Sequence, residues 1–495
     1  MKILLLSPPY LPEYMRNARC DFVSLSATQW YPILLGYCGA YLEGQGHDVK
    51  LVDAPANYLS HDETRRIIQE YKPDLLVLYS GRMSETNDIE FADPIVQALG
   101  CEAVIVGPYA SIAPEKTLGR TKVIDKLIRG EFDHPVGELA EGRQPGEIQN
   151  LVWKNGDAIV SNPVRPNLSG ADLDAIPFVS RFFRDHVNIR SYKAPSEYYP
   201  FIDIMTGRGC KWGRCTYCLW VYTYIKGPAY NVRSIPSVVE EFQVISKEMP
   251  QIRSVMIQDD TFVGERARAF SEAKLSAGIT LPWSCYARAD VSYETLRLMK
   301  RAGCRNLHVG YESADPDVLK RIKKGLSVDR MTRFTEDAKR VGLRIHGDFA
   351  IGFPGETPES AMKTILWARK LNPHTAQFQL MIPFPGTEYY QDMLESGWLN
   401  SNGEPDMPQF SNEQIRSMAK KAYRTFYLSP SYLWKCICHP YEHFFGRLKT
   451  ISRAIPAVFW KRWGTSISSA SAQGSAACPQ TKAETAASRK GVQEK

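Results

Sequence analysis

Cys210, Cys215 and Cys218 fall in the run Thr206-Gly-Arg-Gly-Cys-Lys-Trp-Gly-Arg-Cys-Thr-Tyr-Cys218, with gaps of four and two residues between them. Thiolates are soft ligands suited to zinc or iron–sulfur clusters, and a glycine-rich turn lets three sulfurs converge. A zinc knot calls for a second ligand pair, and none follows at close range. Three cysteines on a [4Fe–4S] cluster leave one iron open to a non-protein ligand, which marks a reactive centre rather than a structural one.

The elements around these cysteines follow from hydrophobic patterning. Apolar, β-rich runs at 201–205, 255–258, 283–287, 306–309, 344–351 and 376–380 alternate with helical stretches such as 293–302 and 358–371. Alternating strand and helix implies parallel strands, and six such units make an incomplete (β/α)6 barrel of the TIM type. Chemistry in such barrels gathers beyond the carboxyl ends of the strands. Asp259 and Asp260 end the second strand there, Arg288 the third, Glu312 the fourth, and Phe353-Pro-Gly-Glu356 the fifth. Each carboxylate also suits a helix N-cap or a solvated loop.

The cysteine run resembles the signature of the radical S-adenosylmethionine (SAM) enzymes, whose usual gaps are three and two residues with an aromatic before the last cysteine. Tyr217 fills the aromatic position, while Lys211-Trp-Gly-Arg214 is one residue longer than usual, an excess that Gly213 can absorb in a turn. The resemblance implies that Cys210, Cys215 and Cys218 hold the cluster and that SAM occupies the open iron, where reduction yields a 5′-deoxyadenosyl radical. It further implies that Glu312 meets the ribose, that Asp259 and Asp260 hold the methionyl end, that Gly352 and Glu356 lie along the adenine, and that Tyr217 and Arg288 also contact SAM. No catalytic acid or base stands out, and radical hydrogen abstraction needs none.

Ahead of the barrel, buried runs at 2–7, 49–53, 75–79, 103–106 and 123–128, with helical stretches including 31–45 and 88–99, describe a doubly wound, Rossmann-like sheet. Ligands bind outside the carboxyl ends of such strands, which here carry Pro9, Tyr10, Ser80, Gly81, Gly107, Pro108, Gly130 and Glu131. No Gly-x-Gly-x-x-Gly follows the first strand, which argues against a dinucleotide. This tandem is similar to the cobalamin-binding class of radical SAM proteins, through Trp30-Tyr-Pro-Ile-Leu-Leu-Gly-Tyr37, Gly46-His-Asp-Val-Lys-Leu-Val-Asp53 and Ile128-Arg-Gly-Glu131. The resemblance implies cobalamin held without a histidine on cobalt. Where the class often shows Gly-Gly-Pro-His, this chain reads Val106-Gly-Pro-Tyr109.

The expected layout is a cobalamin-binding domain over 1–145, a linker over 146–195, the barrel over 196–400, a helical basic and aromatic segment over 401–463, and a disordered tail over 464–495. Eleven cysteines in 495 residues, an odd number spread over a large α/β chain, suit reduced thiols in the cytoplasm. No secretory leader or apolar run of spanning length is visible. The net charge of +7 concentrates beyond residue 433 among aromatic residues, a pattern suited to peripheral contact with a membrane, or to a helical cap over the barrel, more than to nucleic acid.

Within the class, Thr206-Gly-Arg-Gly-Cys210, Cys215-Thr-Tyr-Cys-Leu-Trp220, Asp259-Asp-Thr-Phe262 and Lys323-Lys-Gly-Leu326 resemble hopanoid-associated members. That implies a lipid or other small-molecule substrate and an electron donor such as flavodoxin or ferredoxin. Two chemistries stay open: methylation of an unactivated carbon, and rearrangement, cyclisation or oxidation without methyl transfer. A corrinoid- or lipid-binding protein with a degenerate cluster is the reading from another class.

Overall fold

The chain is described by a computed structural model that covers residues 1–11, 14–16, 21–24, 28–262 and 264–438. The basic, aromatic stretch after residue 438 and the expected disordered tail lie outside the described residues.

The first sheet begins with β1 (Lys2–Ser7), whose apolar side chains are buried on both faces, as a central parallel strand requires. A short antiparallel hairpin, β2 (Tyr14–Arg16) and β3 (Asp21–Val23), follows it. Then come β4 (Asp48–Asp53), β5 (Leu75–Tyr79), β6 (Glu102–Val106) and β7 (Lys126–Ile128). The strand order β4-β1-β5-β6-β7 is parallel throughout and reverses direction of growth at β1, so a ligand crevice opens between the ends of β1 and β5. The segment expected to be a linker instead extends this sheet by an antiparallel hairpin, β8 (Leu151–Asn155) and β9 (Ala158–Ser161). Its two-residue Gly156-Asp157 loop, with Gly156 at φ +60°, is a hairpin signal in the sequence itself.

The barrel consists of β10 (Phe201–Ile204), β13 (Ser254–Ile257), β14 (Trp283–Ala287), β15 (Cys304–Glu312), β16 (Arg344–Ile351) and β17 (Thr375–Leu380), paired in chain order and all parallel. Between β10 and β13 a small antiparallel stem, β11 (Gly207–Gly209) and β12 (Tyr230–Val232), brackets the three cysteines.

Six strands do not close a barrel, so β10 and β17 each carry an edge of backbone groups that must find partners. Tyrosine hydroxyls supply them. On β10, Tyr31 donates to Phe201 O at 2.8 Å, and Tyr37 donates to Met205 O at 2.7 Å while accepting from Met205 N at 2.9 Å. Both tyrosines come from the first domain, Tyr37 from helix Ile33–Gly44, whose Gly36 and Gly39 admit the rings of Phe183 and Phe182. On β17, Tyr427 of helix Asn412–Tyr427 accepts from Ala376 N and donates to Ala376 O, and Tyr423 accepts from Phe378 N.

Removing the Tyr37 hydroxyl strands Met205 N in a buried interface, while Met205 O keeps the bond from Arg233 Nη1 at 3.1 Å. Tyr37→Phe is expected to lower stability by about 1–3 kcal/mol, read as a reduced urea midpoint at unchanged m-value.

Candidate active site

The cysteine loop stands on a stem that the barrel holds by its backbone. Asp259, fully buried, accepts from Thr206 N and Oγ1, both at 2.6 Å, and from Gly207 N at 3.1 Å. Arg266 reaches the same threonine, and Asp260 accepts from Gly209 N at 2.8 Å. Gly209 sits at φ +89°, and a Cβ there would lie 2.2 Å from Ala229 O. Asp259, expected at the methionyl end of SAM, is therefore occupied in shaping the stem. Burial raises its pKa, opposed by Arg266 and these hydrogen bonds.

The extra residue in the first cysteine gap has a structural purpose. Gly213 turns at φ +51° against Gly227 and Pro228, which lets Trp212 swing onto the loop after helix Pro316–Arg321. Its indole donates to Lys323 O at 2.8 Å, and its ring lies 4.8 Å beneath the Arg288 guanidinium and 5.3 Å from that of Arg214. Gly325, at φ +67°, accommodates the ring: a Cβ there would meet it at 2.1 Å. Arg288 Nη2 donates to Lys324 O at 3.0 Å, and Nε to Asp290.

Glu312 occupies a register shift in β15 at φ +64°, a strained conformation for a residue with a side chain and one that gathers at functional sites. Its Oε1 accepts from Lys324 Nζ at 2.9 Å, and Gly310 leaves room for both. Tyr217 hydrogen-bonds to Glu312, while its ring packs 5.3 Å from Phe353. Lys324 was not among the residues expected in the site. Burial opposes its ammonium, but Glu312 and Cys215 hold its pKa above the ordinary value. Lys324 and Glu312 are thus a buried charged pair next to a cysteine.

Cys210 Sγ lies 3.4 Å from Thr261 Oγ1, and Cys218 N donates to Cys215 O. Burial and then the neighbouring Cys215 push the Cys218 thiol up to about 12, and burial raises Cys215 as well. Every described cysteine is a free thiol. Among the described residues no three His, Cys, Asp or Glu side chains converge as donors to one metal ion. Three thiols on one loop, each within electrostatic reach of the others, suit a cluster, in which every thiolate meets a different iron.

At the fifth strand, Glu356 is fully buried and its Oε2 accepts from Gly352 N at 2.6 Å and Phe353 N at 3.3 Å. Burial pushes its pKa up to about 8. It braces the turn at Gly352 and does not face an open site. Tyr389 donates to Gly352 O from the other side.

In the first domain, Pro9, Tyr10, Ser80, Gly81, Gly107 and Pro108 share the carboxyl edge of the sheet. Tyr10 donates to Met83 O, and Asp88 accepts from Ser80 Oγ and Gly81 N. Asp88 also pairs with Arg16 at 2.5 Å, both side chains inaccessible to solvent. Gly107, at φ +127°, abuts Ser80 O so closely that a Cβ would lie 2.6 Å from it, which leaves bare backbone at two adjacent strand ends. Gly130 packs under Tyr224 O, and its N–H donates to Ser111 Oγ at 3.0 Å. Glu131 departs from expectation: Oε1 accepts from Arg208 at 2.8 Å and Oε2 from Leu168 N at 2.8 Å. Arg208, in the cysteine stem, also meets Asp133 at 2.6 and 3.1 Å, so this cluster joins the domains.

The two carboxyl edges face each other. The Arg82 guanidinium lies 5.7 Å from the Phe384 ring of the loop after β17, and a Cβ at Gly386 would lie 3.7 Å from Ile112 Cγ2. A flat group resting on the bare edge of the first sheet would lie beside the loop after β17 and the cysteine stem. The residues on that edge suit such a group.

This fold and site define a two-domain α/β enzyme with a thiol-lined reactive centre opposite a ligand-binding sheet edge. The Radical SAM superfamily profile matches residues 204–368. An uncharacterized methyltransferase of Pyrococcus horikoshii is 30% identical over 479 residues, covering 93% of this chain and 99% of the relative. A cytidylyl-2-hydroxyethylphosphonate methyltransferase of Streptomyces wedmorensis is 25% identical, covering 86% and 90%. A hopanoid C-3 methylase of Methylococcus capsulatus is 23% identical, covering 72% and 67%. Among solved structures, the radical SAM methyltransferase TsrM of Kitasatospora setae, with cobalamin and a [4Fe–4S] cluster bound, superposes with a TM-score of 0.63 at 18% identity, covering 86% of this chain and 81% of that one. The chain belongs to the radical SAM superfamily, and its two-domain fold is that of the cobalamin-binding class. It is a radical SAM enzyme, and the superfamily's [4Fe–4S] cluster and SAM are its cofactors.

Two substitutions test this geometry. Gly325→Ala is expected to displace Trp212 and with it the cysteine loop, lowering iron incorporation on anaerobic reconstitution at least threefold, measured as iron per chain. Glu356 binds its proton more tightly in the folded state than in the unfolded chain, so stability falls as pH rises from its ordinary value to about 8. The slope reaches at most about 1.4 kcal/mol per pH unit, and Glu356→Gln is expected to flatten it in urea melts taken across that window.

Proposed function

We propose that this chain is a cobalamin-dependent radical SAM methyltransferase acting on an unactivated carbon of a small molecule. Cys210, Cys215 and Cys218 would hold the cluster and leave it open to SAM. When bound, the cluster would supply the electron for reductive cleavage of SAM, and cobalamin would carry the methyl group. Glu312, fixed by Lys324 and Tyr217, presents a carboxylate to the ribose hydroxyls. Arg288, Lys324 and Asp260 line the polar end of SAM. Tyr217 and Phe353 pack together at 5.3 Å and narrow the site on one side, which limits solvent around SAM.

The facing carboxyl edges carry this reading. The packing of Arg82 over Phe384, with Ile112 near Gly386, brings groups held by either domain into one space, as methyl transfer between them demands. Rearrangement without methyl transfer is less favoured, since methyltransferases head the relatives.

Exposed Lys211 and Arg214 on the cysteine loop suit an acidic one-electron donor such as flavodoxin or ferredoxin. Among the described residues no helix is long and apolar enough to cross a membrane. Peripheral contact would fall to helix Pro430–Cys438, which exposes Leu433, Trp434 and Ile437 just before the basic segment.

The test is anaerobic. Protein reconstituted with iron, sulfide and cobalamin is given SAM and a strong reductant, and 5′-deoxyadenosine and S-adenosylhomocysteine are quantified by mass spectrometry. Both products are expected, with at least a hundredfold loss of deoxyadenosine in Cys215→Ala at unchanged far-UV circular dichroism. Deoxyadenosine without S-adenosylhomocysteine would overturn methyl transfer.

A further inference from the structure

Parallel strands lining a barrel are ordinarily apolar on both faces. β15 and β16 are not. Along β15, Asn306 and His308 alternate with Leu307, Val309 and Tyr311, and along β16, Arg344, His346 and Asp348 alternate with Ile345 and Phe349. The apolar set points outward: the Tyr311 hydroxyl meets Thr335 of helix Val328–Arg340, and the Phe349 ring packs edge-on to Trp367. The polar set therefore faces the lumen.

Strand register collects these groups in layers. Tyr286, His308, His346 and Thr375 are successive neighbours, and Gly310, Asp348 and Gln377 form the next layer toward the cysteine loop. His308 lies 5.1 Å from the Tyr286 ring and 5.0 Å from that of His346. His346 Nδ1 is 2.7 Å from Thr375 Oγ1, and its Nε2 is 3.4 Å from Asp348 Oδ1. Below them Trp30 closes the lumen, 6.0 Å from His308. The His346 and Asp348 side chains stay 21% and 20% exposed, so the lumen in front of them is open.

We propose that the substrate is a water-soluble molecule whose hydrogen-bond-donating group enters this lumen and is held by Asp348, His346 and Tyr286. The proposal rests on the chain's being a radical methyltransferase, and it makes a saturated hydrocarbon skeleton the wrong substrate. Such a skeleton would strip water from a carboxylate and two imidazoles and return no hydrogen bond. A site built to hydrogen-bond its substrate rejects an analogue lacking the partner group far more strongly than an apolar pocket rejects a missing methylene.

The experiment uses the full chain, reconstituted as above, with two probes: the aqueous metabolite extract and the solvent-extracted lipids of the same cells. The aqueous extract is expected to raise deoxyadenosine formation at least tenfold over the level without extract. Asp348→Leu and the isosteric Asp348→Asn are expected to lose that response while retaining iron content and bound cobalamin. Stimulation by the lipids, by neither extract, or by the aqueous extract equally in wild type and both variants would overturn the proposal. Deoxyadenosine raised by the aqueous extract without any S-adenosylhomocysteine would instead mark failure of the underlying methyltransferase reading, while leaving recognition of a polar molecule in the lumen standing.

Discussion

An open barrel has two raw edges, and the architecture of this protein follows from how they are satisfied. A strand edge with unpaired N–H and C=O groups inside a protein is costly and elsewhere invites aggregation. Tyr31 and Tyr37 pair one edge from the first domain, and Tyr423 and Tyr427 pair the other from the last long helix. A phenol suits the task because its single oxygen both donates and accepts, which lets Tyr37 serve Met205 N and O together. Since the first pair belongs to a different domain, satisfying β10 also fixes the relative placement of the two sheets.

That placement is what makes a shared chamber. The cysteine stem continues from β10 and is pinned from one side by Asp259 and from the other by the pairing of Arg208 with Glu131 and Asp133. A loop anchored this way keeps its sulfurs in position without a large apolar core of its own. Trp212 completes the anchoring by seating the longer cysteine gap on Gly325, which brings Lys324 and Glu312 beside Cys215.

Much of this was legible in the residues. All six barrel strands and the five parallel strands of the first sheet stand out because each is a short apolar run buried on one or both faces, flanked by turn formers. The β8–β9 hairpin escaped notice because Trp153, Lys154 and Ile159 are only half-buried, so the pattern lacks the density of a core strand. Asp259, Glu356 and Glu131 follow strands and so looked like ligand groups, yet Asp259 holds Thr206 and Gly207, Glu131 holds Arg208 and Leu168 N, and Glu356 Oε2 holds the Gly352 and Phe353 amides. Sequence cannot separate a carboxylate that folds the loop from one that meets the ligand. Lys324 hid for the opposite reason: in Lys323-Lys-Gly it reads as a solvated charge, and only the closure of Trp212 over that loop buries it. The polar alternation of Arg344-Ile-His-Gly-Asp-Phe was in plain view, but it is informative only once the strand is known to be parallel and barrel-lining.

Arg208 imposes an order on biosynthesis. As the chain leaves the ribosome, Glu131 and Asp133 emerge well before their guanidinium, and two carboxylates cannot be shut away from water without it. The last part of the first domain therefore stays hydrated until the stem has been made and docked. The cysteines are only two residues further along, so their loop takes shape in the same act that joins the domains. Metal delivery to this protein therefore follows the docking of the stem onto the first domain rather than preceding it.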